Sequence, residues 1–303
     1  MAPRGGQRGR SDRGRGHAAP PKLLIVNADD FGLTLGISEG ILRAHEQGIV
    51  TSTSVLAIGP AYPKVTDRLA DHPELGIGVH LAAVGEDPPL LSRSEVPSLF
   101  DRHGRLPETW SRFLARTVAG RVDPDDVRRE FHAQLEAVAE LGLPITHLDA
   151  HQHLHLWPPV RRVVLDLARE HAVPAVRVPR LAKASLVGVG VSVLGRRLAA
   201  EAGRAGIAHP ADAIGIEVAG QLDHARLASA LARLASRGAP SAELTVHPGE
   251  PDDPDRARYR WGYGWHRELE ALTSDAARAS VTAHGYRLGT YADLVRSPEP
   301  GPR

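Results

Sequence analysis

Apolar residues recur along this chain in two alternating patterns. Short unbroken apolar runs read as strands buried on both faces, as in a parallel sheet. Between them, apolar residues spaced three and four apart mark helices. The first run, Leu23-Leu24-Ile25-Val26, leads through Asn27-Ala28 into Asp29-Asp30-Phe31-Gly32. Further strands are predicted at 51–58, 76–81, 145–149, 175–178, 213–218, 243–247 and 287–290. Helices are predicted at 35–47, 62–71, 125–141, 158–171, 223–236, 266–272 and 274–284. Gly48, Gly142 and Pro158 sit at helix ends, as C-terminal stops and an N-terminal start. The β-α-β order implies parallel strands joined by right-handed crossovers. About seven such units in one domain predict a distorted (β/α) TIM-like barrel, with a doubly wound open sheet as the alternative. No glycine-rich phosphate loop follows the first strand, which disfavours dinucleotide and P-loop folds.

Two stretches break the pattern. Residues 82–124 are rich in Pro, Gly and charge, with one short helix around 110–117, and read as a functional loop or lid. Residues 181–210 form an Ala/Gly/Arg-rich helical excursion whose place in the fold is not evident. Residues 1–21 read as a disordered Arg/Gly-rich tail, 22–297 as the folded domain, and 298–303 as a second tail.

Charge changes the picture little. The net charge is +1; the first twenty residues carry +4, so the folded body is slightly acidic. That makes nucleic acid an unpromising partner. The N-terminus lacks the apolar centre of a signal peptide. The longest later apolar run, 186–194, falls short of the ~20 residues of a membrane span. A soluble cytoplasmic protein is expected. There is no cysteine, which excludes disulfides, thiolate zinc sites and cysteine nucleophiles, but there are 16 histidines. A transition-metal site must therefore use His and carboxylates.

Asp29 and Asp30 stand where the first strand ends, the rim that holds chemistry in α/β folds. Adjacent acids there call for a cation; the bland alternative is a turn and helix cap. The segment 146–157 carries His147, Asp149, His151, His153 and His155 at odd positions. On an extended chain these share a face and offer a row of ligands. His80 ends another strand on the same rim, as does His247 before Pro248-Gly249. Asp30, His80 and one histidine of the cluster make a carboxylate–His–His set with open positions for water and substrate. Arg177 ends the fifth strand, where it could orient Asp29 or a substrate group or sit in a surface ion pair. The loop 259–265 holds Trp261 and Trp265, flat faces for stacking on a ligand ring or a lid packed on the barrel.

The motifs Asn27-Ala28-Asp29-Asp30-Phe31-Gly32, Gly78-Val79-His80-Leu81, the segment from Thr146 to His155, and Val246-His247-Pro248-Gly249 together resemble the YdjC-like carbohydrate deacetylases, which include chitooligosaccharide and hopanoid-associated deacetylases. The resemblance implies a distorted barrel and a hydrolase that removes acetyl groups from N-acetylated sugars. It also implies one divalent metal on Asp30, His80 and His151, with Asp29 as base and His247 as general acid. Mg²⁺ is the first choice, with Zn²⁺ or Mn²⁺ as alternatives. Arg177, His153, Trp261 and Trp265 are the expected substrate contacts, the partner is an N-acetylated sugar or oligosaccharide, and loop aromatics leave room for a homodimer. The competing readings are a metal-dependent hydrolase of another ester, amide or phosphoester, and a non-catalytic sugar- or RNA-associated protein.

Overall fold

The computed structural model describes residues 21–181 and 185–295. The two predicted tails, apart from Pro21, lie outside the described residues. Seven parallel strands form one curled sheet: β1 (Lys22–Phe31), β2 (Ser52–Val55), β3 (Gly76–Leu81), β4 (Ile145–Ala150), β5 (Asp212–Ile214), β6 (Ser241–Val246) and β7 (Tyr286–Leu288). Their order is β4-β3-β2-β1-β6-β5. β1 is the hub. It pairs with β6 along residues 23–28, with β7 along 22–24 and with β2 along 27–31.

The sheet curls into a half-barrel, an arrangement compatible with a distorted barrel. The predicted strand 175–178 is reduced to isolated bridges, Leu148 with Val176 and Ala175 with Ala208. These carry hydrogen bonding from β4 towards the segment that enters β5. The predicted strand 213–218 is also shorter: three residues pair as β5, and Ile216–Val218 turns into a 3₁₀ helix. Gly215, at φ 149°, makes that change of course.

Helices cover the outside: α1 (Leu35–Gln47), α2 (Tyr62–Val65), α3 (Trp110–Val118), α4 (Pro124–Ala139), α5 (Pro158–Glu170), α6 (Leu186–Arg204), α7 (His224–Arg237), α8 (Trp265–Thr273) and α9 (Asp275–Ala283). Several starts are side-chain caps. Thr34 accepts from the Ile37 N–H, and Asp123 precedes Pro124 at the first position of α4. The excursion 181–210 resolves into α6, a 19-residue helix capped by Ser185. Among the described residues, no helix is long and apolar enough to cross a membrane.

The strands are buried on both faces, but the two faces differ in chemistry. On β1, Leu24, Val26 and Ala28 join the main core under the helices. Leu23 and Ile25 instead meet Ala175 and Tyr291 in a small separate cluster inside the curl. Above that plug, the same alternate positions become polar: Asn27 and Asp29 on β1, Ser54 on β2, His80 on β3, His147 and Asp149 on β4, and Glu243 on β6 are all buried. Period-two alternation thus stacks an apolar base beneath a polar interior. That interior opens at the carboxyl ends of the strands.

α1 is held against the turn after β6 by a close backbone approach. A Cβ on Gly40 would overlap the backbone of Gly249 and Glu250. Gly40→Ala should therefore lower stability by about 1–3 kcal/mol through overpacking. Urea denaturation measures it; an unchanged midpoint would show that the turn yields freely.

Candidate metal and catalytic site

The adjacent acids reach one cavity because the backbone turns over between them. In a regular strand, neighbouring side chains point to opposite faces. Here the β1–β2 register slips between Ala28 and Phe31, and Asp30 adopts φ 72°, a left-handed conformation that Asp tolerates better than most residues. Both carboxylates then line a cavity of about 540 Å³. Strained backbone of this kind costs of order 1–3 kcal/mol and concentrates at functional sites.

Asp30 meets two imidazoles. Its Oδ1 lies 3.5 Å from His80 Nε2 and 3.4 Å from His151 Nδ1, and those nitrogens are 3.2 Å apart. Asp30 Oδ1 is buried without a hydrogen-bond partner. His80 Nδ1 is engaged by Asp149 Oδ1 at 2.7 Å, so Nε2 is the nitrogen turned to Asp30. Burial alone would lower the His80 pKa, but the carboxylates of Asp149, Asp29 and Asp30 push it up to about 9. Burial would raise Asp30, yet His151, His80 and His247 bring it down to about 2. The spot therefore calls for positive charge, and a proton on His80 or a cation would each answer it. Two imidazole nitrogens and one carboxylate oxygen fit a divalent ion with open positions. A second grouping, Asp29, His80 and Asp149, also has suitable spacing. Arg177 already supplies the positive charge there.

Arg177 is buried and touches three carboxylates. Its Nη2 and Nη1 donate to Asp29 at 2.6 and 2.7 Å, its Nη1 lies 2.7 Å from Asp149 Oδ2, and its Nε donates to Glu243 at 2.7 Å. Burial opposes its charge, but Asp149, Asp29 and Glu243 hold its pKa well above the usual arginine value. Asn27 adds a hydrogen bond of 2.9 Å to Asp29 Oδ1. The reading of Arg177 as a surface ion pair is thus overturned. It is not among the residues that line the cavity, and its side-chain partners are the carboxylates of Asp29, Asp149 and Glu243.

The histidine-rich segment does not continue as a flat row. After β4 the chain coils through left-handed Gln152 (φ 50°) and His153 (φ 56°). The alternation therefore holds only as far as His147, Asp149 and His151. His147 lies below the site, stacked on Tyr291 with ring centres 3.8 Å apart. His151 turns into the cavity, and His153 lines its wall. His155 is buried away from it. Gln152 fastens the turn to the start of α3, accepting from the Trp110 N–H at 2.7 Å and donating to the Glu108 carbonyl at 3.0 Å.

His247 sits across from Asp29, Nε2 to Oδ2 4.0 Å, with Tyr263 edge-on to its ring. Glu268 accepts the His247 backbone N–H at 2.6 Å and that of Leu222 at 3.1 Å. Trp261 lines the cavity near His151, with ring centres 5.4 Å apart. Its Nε1 donates to Glu86, while Tyr259 and Arg258 reach Asp87, so loop 259–264 is latched over the site. Trp265 is a correction. It starts α8, is buried at 5% exposure beneath Trp261, and does not reach the cavity.

The opposite wall is apolar. Trp110 and Leu114 from α3 and Val187, Val191 and Leu194 from α6 line it. At its lip, Leu186 and Val189 are 94% and 60% exposed. Sequence reasoning overlooked this wall, and also Glu243 and Glu268; Asn27 and Asp149 stood in its motifs without their contacts to Asp29, His80 and Arg177. Glu243 lies on β6, four residues before His247, a signal that was available, whereas Glu268 lies on α8 and left none. Contacts from α3 and α6 left none.

Removing Arg177 would leave three carboxylates buried without their cation. Arg177→Met should cost about 3–5 kcal/mol in chemical denaturation; a loss below about 1 kcal/mol would mean the carboxylates are neutralised by other means. A second expectation concerns acid. Burial, aided by Arg177, holds His147 down to about 3 and His155 to about 4, with His153 also well below 6.5. The unfolded chain takes up protons on these rings below pH about 6.5, while the folded chain does not. Stability should fall from pH 6.5 towards 4, each ring contributing up to about 1.4 kcal/mol per pH unit. Urea midpoints across that range would show it, with a shallower slope in His155→Gln.

Comparison with known proteins agrees with this arrangement. Residues 23–283 match the family described as YdjC-like protein. The chitooligosaccharide deacetylase of Proteus mirabilis (strain HI4320) is 33% identical over 279 residues, covering 90% of this chain and 99% of that protein. The carbohydrate deacetylase of Geobacillus stearothermophilus is 38% identical over 154 residues, covering 51% and 59%. A crystal structure from Enterococcus faecalis V583, whose name proposes a role in cellobiose-phosphate cleavage, matches with a TM-score of 0.75 at 27% identity, covering 91% of this chain and all of that one. On the length and order of these matches, the chain belongs to the YdjC-like family.

Proposed function

We propose that this protein is a metal-dependent hydrolase that removes acetyl groups from N-acetylated carbohydrates. The observation that carries the reading is the pairing of two unlike acids at the end of β1. Asp30 faces two imidazoles in a spot that calls for a cation, while Asp29 beside it is held by Arg177. Relatives named as chitooligosaccharide and carbohydrate deacetylases support the substrate class.

Asp30, His80 and His151 would hold the divalent ion, and the donor set suits Mg²⁺, Zn²⁺ or Mn²⁺. When bound, such an ion polarises the amide carbonyl and acidifies a water. Asp149 fixes the His80 ring, which keeps Nε2 aimed at the ion's place. Asp29 takes a proton from the attacking water. Its bonds to Arg177 and Asn27 take both lone pairs of Oδ1 and one of Oδ2, which leaves one on Oδ2 for the proton and fixes its orientation. His247, positioned by Glu268 through its backbone, donates a proton to the departing amine. The products are acetate and the free amino sugar. Trp261 offers an aromatic face to the ring, and His153 lies within reach of its hydroxyls.

The apolar wall favours a sugar that carries an apolar group. An oligosaccharide alone would leave Val187, Val191 and Leu194 facing polar hydroxyls. An alkyl-like aglycone would bury them, at about 0.8 kcal/mol per methylene removed from water.

The test is acetate release after chelation and re-addition of Mg²⁺, Zn²⁺ or Mn²⁺, comparing diacetylchitobiose with octyl N-acetylglucosaminide. Asp29→Asn should lose about 10²–10⁴-fold in turnover while metal still binds. His151→Ala should lose both metal and activity. The octyl substrate should win by roughly tenfold or more in kcat/KM, and Val187→Asp should erase that preference without affecting diacetylchitobiose. Acetate release that is indifferent to chelators and to both site variants would overturn the reading.

A further inference from the structure

A second cluster of metal-binding side chains lies on the outer surface, remote in role from the cavity. His132 and Glu136 stand one turn apart on α4, so they share a face. His171 caps the C-terminal end of α5, and Ala172 at φ 52° turns the chain away. Ligand atoms of the three residues all lie within 4.8 Å of one another. His171 Nδ1 and Glu136 Oε1 are 3.3 Å apart, and the His132 and His171 rings meet edge-on with centres 5.1 Å apart. None of the three lines the central cavity.

We propose that His132, Glu136 and His171 form a separate binding site for Zn²⁺ or a similar transition-metal ion, bridging α4 and α5. Two imidazoles and one carboxylate are the donors such an ion takes, and exposure leaves its fourth position to water. Ligand atoms about 3.3 Å apart match one edge of a tetrahedron with bonds of about 2.0–2.1 Å. The His171–Glu136 pair already has that spacing. His132 and Glu136 are exposed and His171 is half-buried, so His132 has the most room to turn towards that pair.

The helices are also braced for it. Arg128, one turn before His132 on α4, places its Nη2 2.6 and 2.8 Å from the two carboxylate oxygens of Glu170. Arg128, His132 and Glu136 thus form a stripe on α4 that faces the end of α5. The strand between these two helices in sequence is β4, which carries Asp149 and leads into His151. An ion across α4 and α5 would clamp the unit that delivers those residues.

The test is Zn²⁺ titration of chelator-treated protein by equilibrium dialysis, with circular dichroism to confirm folding. Wild type should bind one equivalent more than His132→Ala or His171→Ala, or bind that equivalent at least about tenfold more tightly. The same difference should appear between His151→Ala and His151→Ala/His171→Ala, where the inner site is disabled, so the two sites are judged separately. Zn²⁺ should raise the melting temperature of His151→Ala protein and leave the double variant unmoved. Equal stoichiometry and affinity with and without His132 and His171 would overturn the proposal.

Discussion

A single buried guanidinium holds the interior of this protein together. Arg177 lies where β1, β4 and β6 converge, and it binds a carboxylate from each: Asp29, Asp149 and Glu243. Any two of these acids would repel each other in a medium that screens charge poorly. Burying them is tolerable only with a cation that can donate to all three at once. Arginine suits that role because its five N–H donors lie in a rigid plane and it stays charged. Lysine offers a point charge on a flexible stem and could not span the three. The polar interior above the apolar plug of Leu23, Ile25, Ala175 and Tyr291 depends on that one side chain.

From this anchor the two acids of β1 acquire different characters. Asp29 is held by Arg177 and Asn27. Asp30 is swung into the same cavity by its left-handed backbone and meets imidazoles. Adjacent, chemically identical side chains thus sit in unlike electrostatic settings. Asp149 links the two halves, with one oxygen on His80 and the other towards Arg177. Asp149 is thus the carboxylate that connects Arg177 to the His80 ring.

Two unlike walls enclose the site. On one side the 259–264 loop, tied by Tyr259, Arg258 and Trp261 to Asp87 and Glu86, supplies an aromatic face. On the other, α3 and α6 present aliphatic side chains, of which Leu114, Val191 and Leu194 also pack against the main core while Val187 is exposed. α6 in particular keeps Leu186, Val187 and Val189 in solvent, an arrangement that costs solubility unless something apolar visits.

Much of this was legible in the chain itself. The unbroken apolar runs, the helix stops and the order of elements specify a parallel α/β domain, because burial on both faces and crossover connections leave local marks in every segment. The rim positions of Asp29, Asp30, His80 and His247 were legible for the same reason, since each stands at a strand end, whereas His151 was singled out from its cluster only by the family resemblance. What the tertiary structure alone decided is how those residues face one another. The register slip at Asp30, the left-handed turn at Gln152 and His153, the burial of Arg177 among three acids and of Trp265 beneath Trp261, and the placing of α6 on the cavity all arise from contacts between segments far apart in sequence. No local pattern encodes such contacts. A carboxylate's partner is set by which strands lie beside it, and that is a property of the curled sheet rather than of any stretch of chain.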